Sequence, residues 1–95
     1  MDVECGPAKR AWVLAERELD MAETGAVFEG AHLTFPDDRM DYGEDRSVIF
    51  GFFEGRMVAV AWTPRGEARR IISMRKCNAR ERRNYASLLG LRDGR

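Results

Sequence analysis

Residues 46–76, RSVIFGFFEGRMVAVAWTPRGEARRIISMRK, decide how this chain folds. Three runs rich in β-branched and aromatic residues are separated by two short breaks. Arg46 to Phe53 is predicted as a strand. Glu54-Gly55 then forms a tight turn in which Gly55 is free to take positive φ, and Arg56 to Thr63 forms a second strand. Pro64-Arg65-Gly66-Glu67 reads as another turn and Ala68 to Lys76 as a third strand. Connections this short argue for an antiparallel meander. Val48, Ile49, Phe50, Phe52, Val58, Val60 and Trp62 suit a sheet with one face well buried.

On the C-terminal side the third strand runs into a helical stretch, 78–89. Asn78 with Glu81 three residues on predicts its cap, and Tyr85, Leu88 and Leu89 its inner stripe. Residues 90–95 are expected to fray. On the N-terminal side Gly6-Pro7 starts a first helix, since the first helical N–H needs no partner. Ala8, Ala11, Trp12, Ala15 and Leu19 recur there at helical spacing. Asp20 with Glu23 reads as the capping box of a second short helix ending near Phe28 and Gly30. Residues 31–45, AHLTFPDDRMDYGED, read as an acidic loop broken by Pro36 and Gly43. Residues 1–5 are a possible edge strand. The expected class is α+β: two N-terminal helices, a three- to four-stranded antiparallel meander and a closing C-terminal helix. Helices should cover one face of the sheet and leave the other partly open.

At 95 residues the chain makes one domain, 1–95, with a real but modest core. Hydrophobic residues are 44% and charged residues 34%, a globular rather than disordered balance. No apolar run approaches the roughly 20 residues that span a bilayer. The start, MDVECGPAKR, has no apolar stretch of the secretory kind. A cytoplasmic protein is expected, with Cys5 and Cys77 as free thiols. The zero net charge conceals an asymmetry: residues 1–45 hold twelve acids and four bases, residues 46–95 four acids and twelve bases. Either the second half meets an anionic ligand or the halves neutralise each other across the fold.

The positive charge concentrates in Arg69 to Tyr85, RRIISMRKCNARERRNY, with seven bases and one acid, Glu81. Arginine stays charged and binds two oxygens at once, so this strand and helix suggest an anionic partner, RNA first among them. Arg70 and Arg75 are candidates for clamping phosphate; as a solvated strand edge they would instead pair with the acidic half. The parity of the third strand is open. One face carries Arg69, Ile71, Ser73 and Arg75, the other Arg70, Ile72, Met74 and Lys76. Turning Ile72 and Met74 to the helices puts Ser73 and Arg75 on the open face and leaves Arg70 to reach in from the rim.

Two blocks carry a resemblance. LTFPDDRMDYGEDRSVIFGFFEGRMVAVAWTPRGE contains Pro36-Asp37, Tyr42-Gly43-Glu44-Asp45-Arg46 and Gly55-Arg56. RIISMRKCNARERRNY contributes Arg70, Ile71, Ile72, Ser73, Arg75, Lys76, Glu81 and Tyr85. In these the chain resembles the BrnT family of type II toxins. It departs from the family pattern near the N-terminus. Val13, Glu16-Arg17-Glu18 and Met21 stand where the family has Asn, Lys-His-Gly and Phe, so its histidine is missing and Arg17 is near its place. The resemblance implies a RelE-like fold and a small endoribonuclease, independent of metal and cofactor, that cleaves RNA and inhibits translation. It further implies neutralisation by a BrnA-like ribbon-helix-helix antitoxin, with operator DNA read only by the complex; from the lack of a long apolar run, no membrane partner is expected.

Metal-free RNA cleavage uses the 2′-OH as nucleophile, so the enzyme must move protons and stabilise a pentavalent phosphate. The candidate catalytic set is Arg70, Ser73, Arg75, Glu44 and Tyr85, with Arg46, Arg69, Lys76, Arg80 and Arg83 as RNA-binding residues. Glu44 and Glu81 are the candidate proton-transfer carboxylates, and these two and Tyr85 have structural alternatives. Glu44 could pair with Arg46, Glu81 could cap its helix rather than transfer a proton, and Tyr85 could close the core. His32, the lone histidine, lies in the acidic loop and is more readily read as solvated than as catalytic. No phosphate-cradling glycine loop, zinc-type ligand set or nucleophile elbow is present. A non-catalytic toxin-like protein that binds the antitoxin and modulates transcription is the alternative reading.

Overall fold

The computed structural model describes residues 2–38, 41 and 43–89. The expected fraying of 90–95 and any role of Tyr42 lie outside these. The chain begins with strand β1 (Val3–Cys5) and helix α1 (Pro7–Arg17). A 3-10 turn (Met21–Glu23) and helix α2 (Gly25–Glu29) follow. Strands β2 (Leu33–Pro36), β3 (Ser47–Phe53), β4 (Arg56–Arg65) and β5 (Ala68–Lys76) lead to helix α3 (Ala79–Ala86).

The class is α+β, and β3, β4 and β5 form the expected hairpins. Phe53 pairs with Arg56 across a two-residue loop. Both loop residues, Glu54 (φ 50°) and Gly55 (φ 79°), adopt the positive φ that a type I′ turn demands. The second hairpin is tighter than expected. Arg65 pairs with Ala68, so Pro64 and Arg65 belong to β4 and only Gly66 and Glu67 turn the chain. Pro64 is tolerated because it lies beyond the last β3–β4 pair, Ser47 with Trp62, where no ladder N–H is needed on that side.

The sheet is larger than a three- or four-stranded meander and is mixed. Its order is β1-β5-β4-β3-β2. β1 runs parallel to β5, pairing Val3 with Arg69 and Cys5 with Ile71. β2 forms inside the stretch read as an acidic loop, pairing Leu33 with Phe50 and Phe35 with Val48. Four residues ending in proline carry little strand signal of their own; the apolar side chains opposite them in β3 supply it.

One face of the sheet packs under α1, the 3-10 turn and α2. Its core holds Val13, Met21, Val27, Ile49, Val58, Val60, Ile71 and Met74. The α1 stripe differs from expectation. Val13 is the buried residue of that helix, while Ala8, Ala11, Trp12 and Ala15 face water, Trp12 at 48% exposure. Arg17 reaches the sheet instead and donates from Nη1 to the Met74 carbonyl at 2.8 Å. Leu19 is buried, as its spacing implied, but lies past the end of α1. The single helix expected after Asp20 is two pieces. Asp20 accepts from the Ala22 N–H, and buried Thr24 donates its hydroxyl to Met21 O between them.

On the other face α3 covers one end, where Phe50, Met57, Ala59 and Cys77 meet Leu89, Tyr85 and Ala86. The α3 cap is as expected: Glu81 N–H donates to Asn78 Oδ1 (2.8 Å) and Asn78 N–H to Glu81 Oε1 (3.0 Å). Leu88 departs from the stripe and is 66% exposed.

Candidate functional site

The part of this second face that α3 leaves uncovered collects Arg70 and Arg75 of β5, through a break in the strand's alternation. Val60 pairs with Met74 and Ala61 with Ser73, but Trp62 pairs with Ile71, which leaves Ile72 as an extra residue. Such a bulge shifts parity by one from that point on. Met74 and Ile71, rather than Met74 and Ile72, therefore enter the helix-covered core. Arg70 joins Ser73 and Arg75 on the opposite face, and Arg69 goes to the helix side. Arg70 stands opposite Thr63, and Arg46 precedes β3 in the same cross-strand row. Two rows along is Arg75, opposite Ala59, about 13 Å away at ~3.3 Å per residue. Between them Ser73, Ala61 and Val48 form a low saddle.

Arg75 is held in place. Its Nη1 and Nη2 donate to the two carboxylate oxygens of Glu81, each at 2.8 Å. This two-point pair engages two of the five N–H donors of the guanidinium and fixes its plane. The hydrogen bonds from Arg75 hold the Glu81 carboxyl at about 2, well under its ordinary 4.5. A carboxylate that weakly basic is a poor proton acceptor near neutrality. Glu81 thus caps α3 and positions Arg75. Arg75 lines two adjoining hollows. The smaller, about 120 Å³, is walled by Val48, Ala59, Ala61 and Ser73. The larger, about 240 Å³, is walled by Phe35, Pro36, Asp37, Val48, Phe50 and Tyr85. The Tyr85 ring lies 4.6 Å from Phe50 and 5.8 Å from Phe35, centre to centre, so it serves both the core and the hollow.

The remaining sequence candidates scatter. Glu44 accepts from Arg46 Nε at 2.9 Å, the pairing that was its structural alternative. Arg70 Nη1 is 4.0 Å from Glu4, a contact between the acidic and basic halves. Arg69, counted with the RNA-binding residues, lies on the helix side. Its guanidinium stacks 3.9 Å over the Phe28 ring, and its Nε is buried with no hydrogen-bond partner. Lys76 lies at the far end of β5, near Cys77, Arg56 and Arg82. Arg80 and Arg83 are exposed on α3. His32 hydrogen-bonds Gly30 O, and its Cβ borders the Gly51 backbone, which faces Val27 of α2. Cys5 and Cys77 are free, and burial pushes the Cys77 thiol up to about 11.

Asp37 and Phe35 are what the residue-by-residue reading missed. Asp37 is a buried carboxylate, 8% exposed, and its N–H donates to Arg46 O at 2.8 Å, extending the β2–β3 ladder. The Pro36-Asp37 step was the available signal, but its role depends on β2, which the sequence concealed. Among the described residues no group of three His, Cys, Asp or Glu stands ready to hold a metal ion, and no helix is long and apolar enough to cross a membrane.

No curated protein matches the chain significantly. A family model does match, over residues 6–81, and its description is a ribonuclease toxin, BrnT, of type II toxin-antitoxin systems. That span runs from the cap of α1 to Glu81 and takes in Arg70, Ser73 and Arg75, so the chain belongs to the BrnT family of ribonuclease toxins.

Proposed function

We propose that this chain is a RelE-like endoribonuclease toxin that cleaves RNA without a metal, inhibits translation in the cytoplasm and is neutralised by a BrnA-like ribbon-helix-helix antitoxin. In this reading operator DNA is met only through the antitoxin complex. One observation carries it: Arg75, fixed at two points by Glu81, borders a small hollow and an aromatic one on the face that α3 only partly covers. A fixed cation of this kind suits the charge that develops on a pentavalent phosphate. Arg70 supplies a second cation on the same face, Ser73 and Tyr85 hydroxyl groups for the phosphate oxygens, and Glu44 a carboxylate nearby in sequence to Arg46. Arg46, Arg80 and Arg83 extend the positive surface. Arg69 and Lys76 take no part in this version of the site.

The test is cleavage of single-stranded RNA by the antitoxin-free protein in the presence of a chelator. Binding of an uncleavable strand should weaken with salt by a slope of roughly −0.7 in log K per phosphate contact. Adding the antitoxin should abolish cleavage. A salt-insensitive interaction, or an antitoxin that binds while cleavage continues, would remove the proposal.

A second reading is a non-catalytic toxin-like protein that binds the antitoxin and modulates transcription. Arg17 favours it: the residue near the place of the family histidine is spent on the Met74 carbonyl. Growth arrest on induced expression without antitoxin supports the nuclease; unaffected growth together with antitoxin binding supports the second reading.

A further inference from the structure

Phe35 is 40% exposed on the edge strand β2, with its ring 5.9 Å from Phe50 and 5.8 Å from Tyr85. An exposed ring on a four-residue edge strand adds little to the core. It does complete an aromatic wall along the 240 Å³ hollow, whose polar lining is Asp37 and Arg75. Val48 and Arg75 also line the smaller hollow, whose other walls are the small side chains of Ala59, Ala61 and Ser73. The two hollows share Val48 and Arg75, so a phosphate at that guanidinium has the aromatic wall beside it.

We propose that the hollow lined by Phe35 and Tyr85 is a nucleobase subsite that takes one unpaired base of an RNA strand, stacked on the aromatic wall, with the adjacent phosphate at Arg75. The inference rests on the RNA reading above and narrows it. A base enters such a hollow only when it is out of the helical stack, so single strands, loops and bulges are substrates and continuous duplex is not. Stacking on an aromatic wall is tolerant of base identity, because every base has a π-face.

The test measures binding of a short 2′-O-methyl RNA, which cannot be cleaved, by fluorescence anisotropy. It compares wild type, Phe35→Ala and Phe35→Trp, each checked for fold by circular dichroism. Phe35→Ala should weaken single-strand binding by roughly tenfold to a hundredfold. Its salt slope should match wild type, because the phosphate contacts remain. Phe35→Trp should retain wild-type affinity, which separates stacking from a packing defect. A strand with a single abasic position next to the bound phosphate should bind wild type less tightly and Phe35→Ala no differently from the intact strand. Wild type should prefer single strand to blunt duplex.

Salt-dependent RNA binding that Phe35→Ala leaves at full strength overturns the subsite and spares the RNA reading. Absence of any salt-dependent RNA binding by wild type overturns both. A Phe35→Ala variant that binds RNA normally but loses the antitoxin makes the wall a protein-docking surface and overturns the subsite.

Discussion

The two faces of the sheet are built differently, and Arg69 and Arg70 show how. On the helix-covered face α1, the 3-10 turn and α2 bury a continuous apolar layer, and Arg69 is stacked over Phe28 with Trp62 alongside. On the other face α3 rests on Tyr85, Ala86 and Leu89 and is latched by the Arg75–Glu81 pair. Arg70, one residue on from Arg69, belongs to that second face. The covered face therefore holds a cation stacked on its aromatic rings, and the thinly covered face holds the cations of the proposed site. Stability and chemistry should separate along the same line.

The comparison breaks most visibly in the core of the covered face. Met74 is fully buried there. Met74→Ala should cost about 2–5 kcal/mol of stability through the cavity it leaves. Denaturant unfolding measures this, and a loss well below that range would mean that α1 and α2 pack more loosely than described. On the opposite face Arg75→Ala should keep the fold and lower RNA cleavage by roughly 100-fold or more, the loss of one fixed transition-state donor of about 2.7–4 kcal/mol. Arg70→Ala should act in the same direction. Equal cleavage by wild type and Arg75→Ala at matched fold content would remove Arg75 from the site.

Arg69→Ala sharpens the contrast. It should lower the unfolding free energy by about 0.5–2 kcal/mol as its stacking is lost, while cleavage by the folded fraction stays near wild type. A larger fall in activity than in stability would return Arg69 to the RNA surface. The smallest effect belongs to Glu81→Gln, which retains the capping hydrogen bonds and removes the charge. The folded-state value of Glu81, about 2, lies below its ordinary 4.5. Its contribution is therefore complete above about pH 4.5 and is lost as pH falls toward about 2. The difference in thermal midpoint between wild type and Glu81→Gln should be constant near neutrality and shrink through that window. It should be small and reduced by salt, since Arg75 is 45% exposed. A difference that grows on acidification would contradict the pairing.

Much of the candidate site was legible because its residues lie close together on one strand and the helix after it. Ser73, Arg75, Glu81 and Tyr85 fall within thirteen positions, and the Asn78–Glu81 cap is local. The position of Arg70 was less legible, because a bulge leaves no mark in a run such as RRIISMR, where either parity buries an isoleucine. Asp37 and Phe35 were hidden for another reason. They reach Arg75 only because β2 pairs with β3 at the far side of the sheet.

By itself the sequence determined the parts that depend on near neighbours. These are the turns at Glu54-Gly55 and Gly66, the three long strands, the cap at Asn78 and the concentration of positive charge after Arg69. Tertiary structure alone decided which side chains share a face. β1 and β2 are three and four residues long and exist because a sheet edge receives their backbone. The Ala8–Ala11–Trp12–Ala15 stripe has good helical spacing, yet three of its four members are alanines, and the sheet accepts Val13 instead. Periodicity records that a helix has an apolar side; it does not record which competing side fills the space above the sheet. That choice, and the bulge that decides which of two neighbouring arginines shares a face with Arg75, is made by packing over residues far apart in the chain.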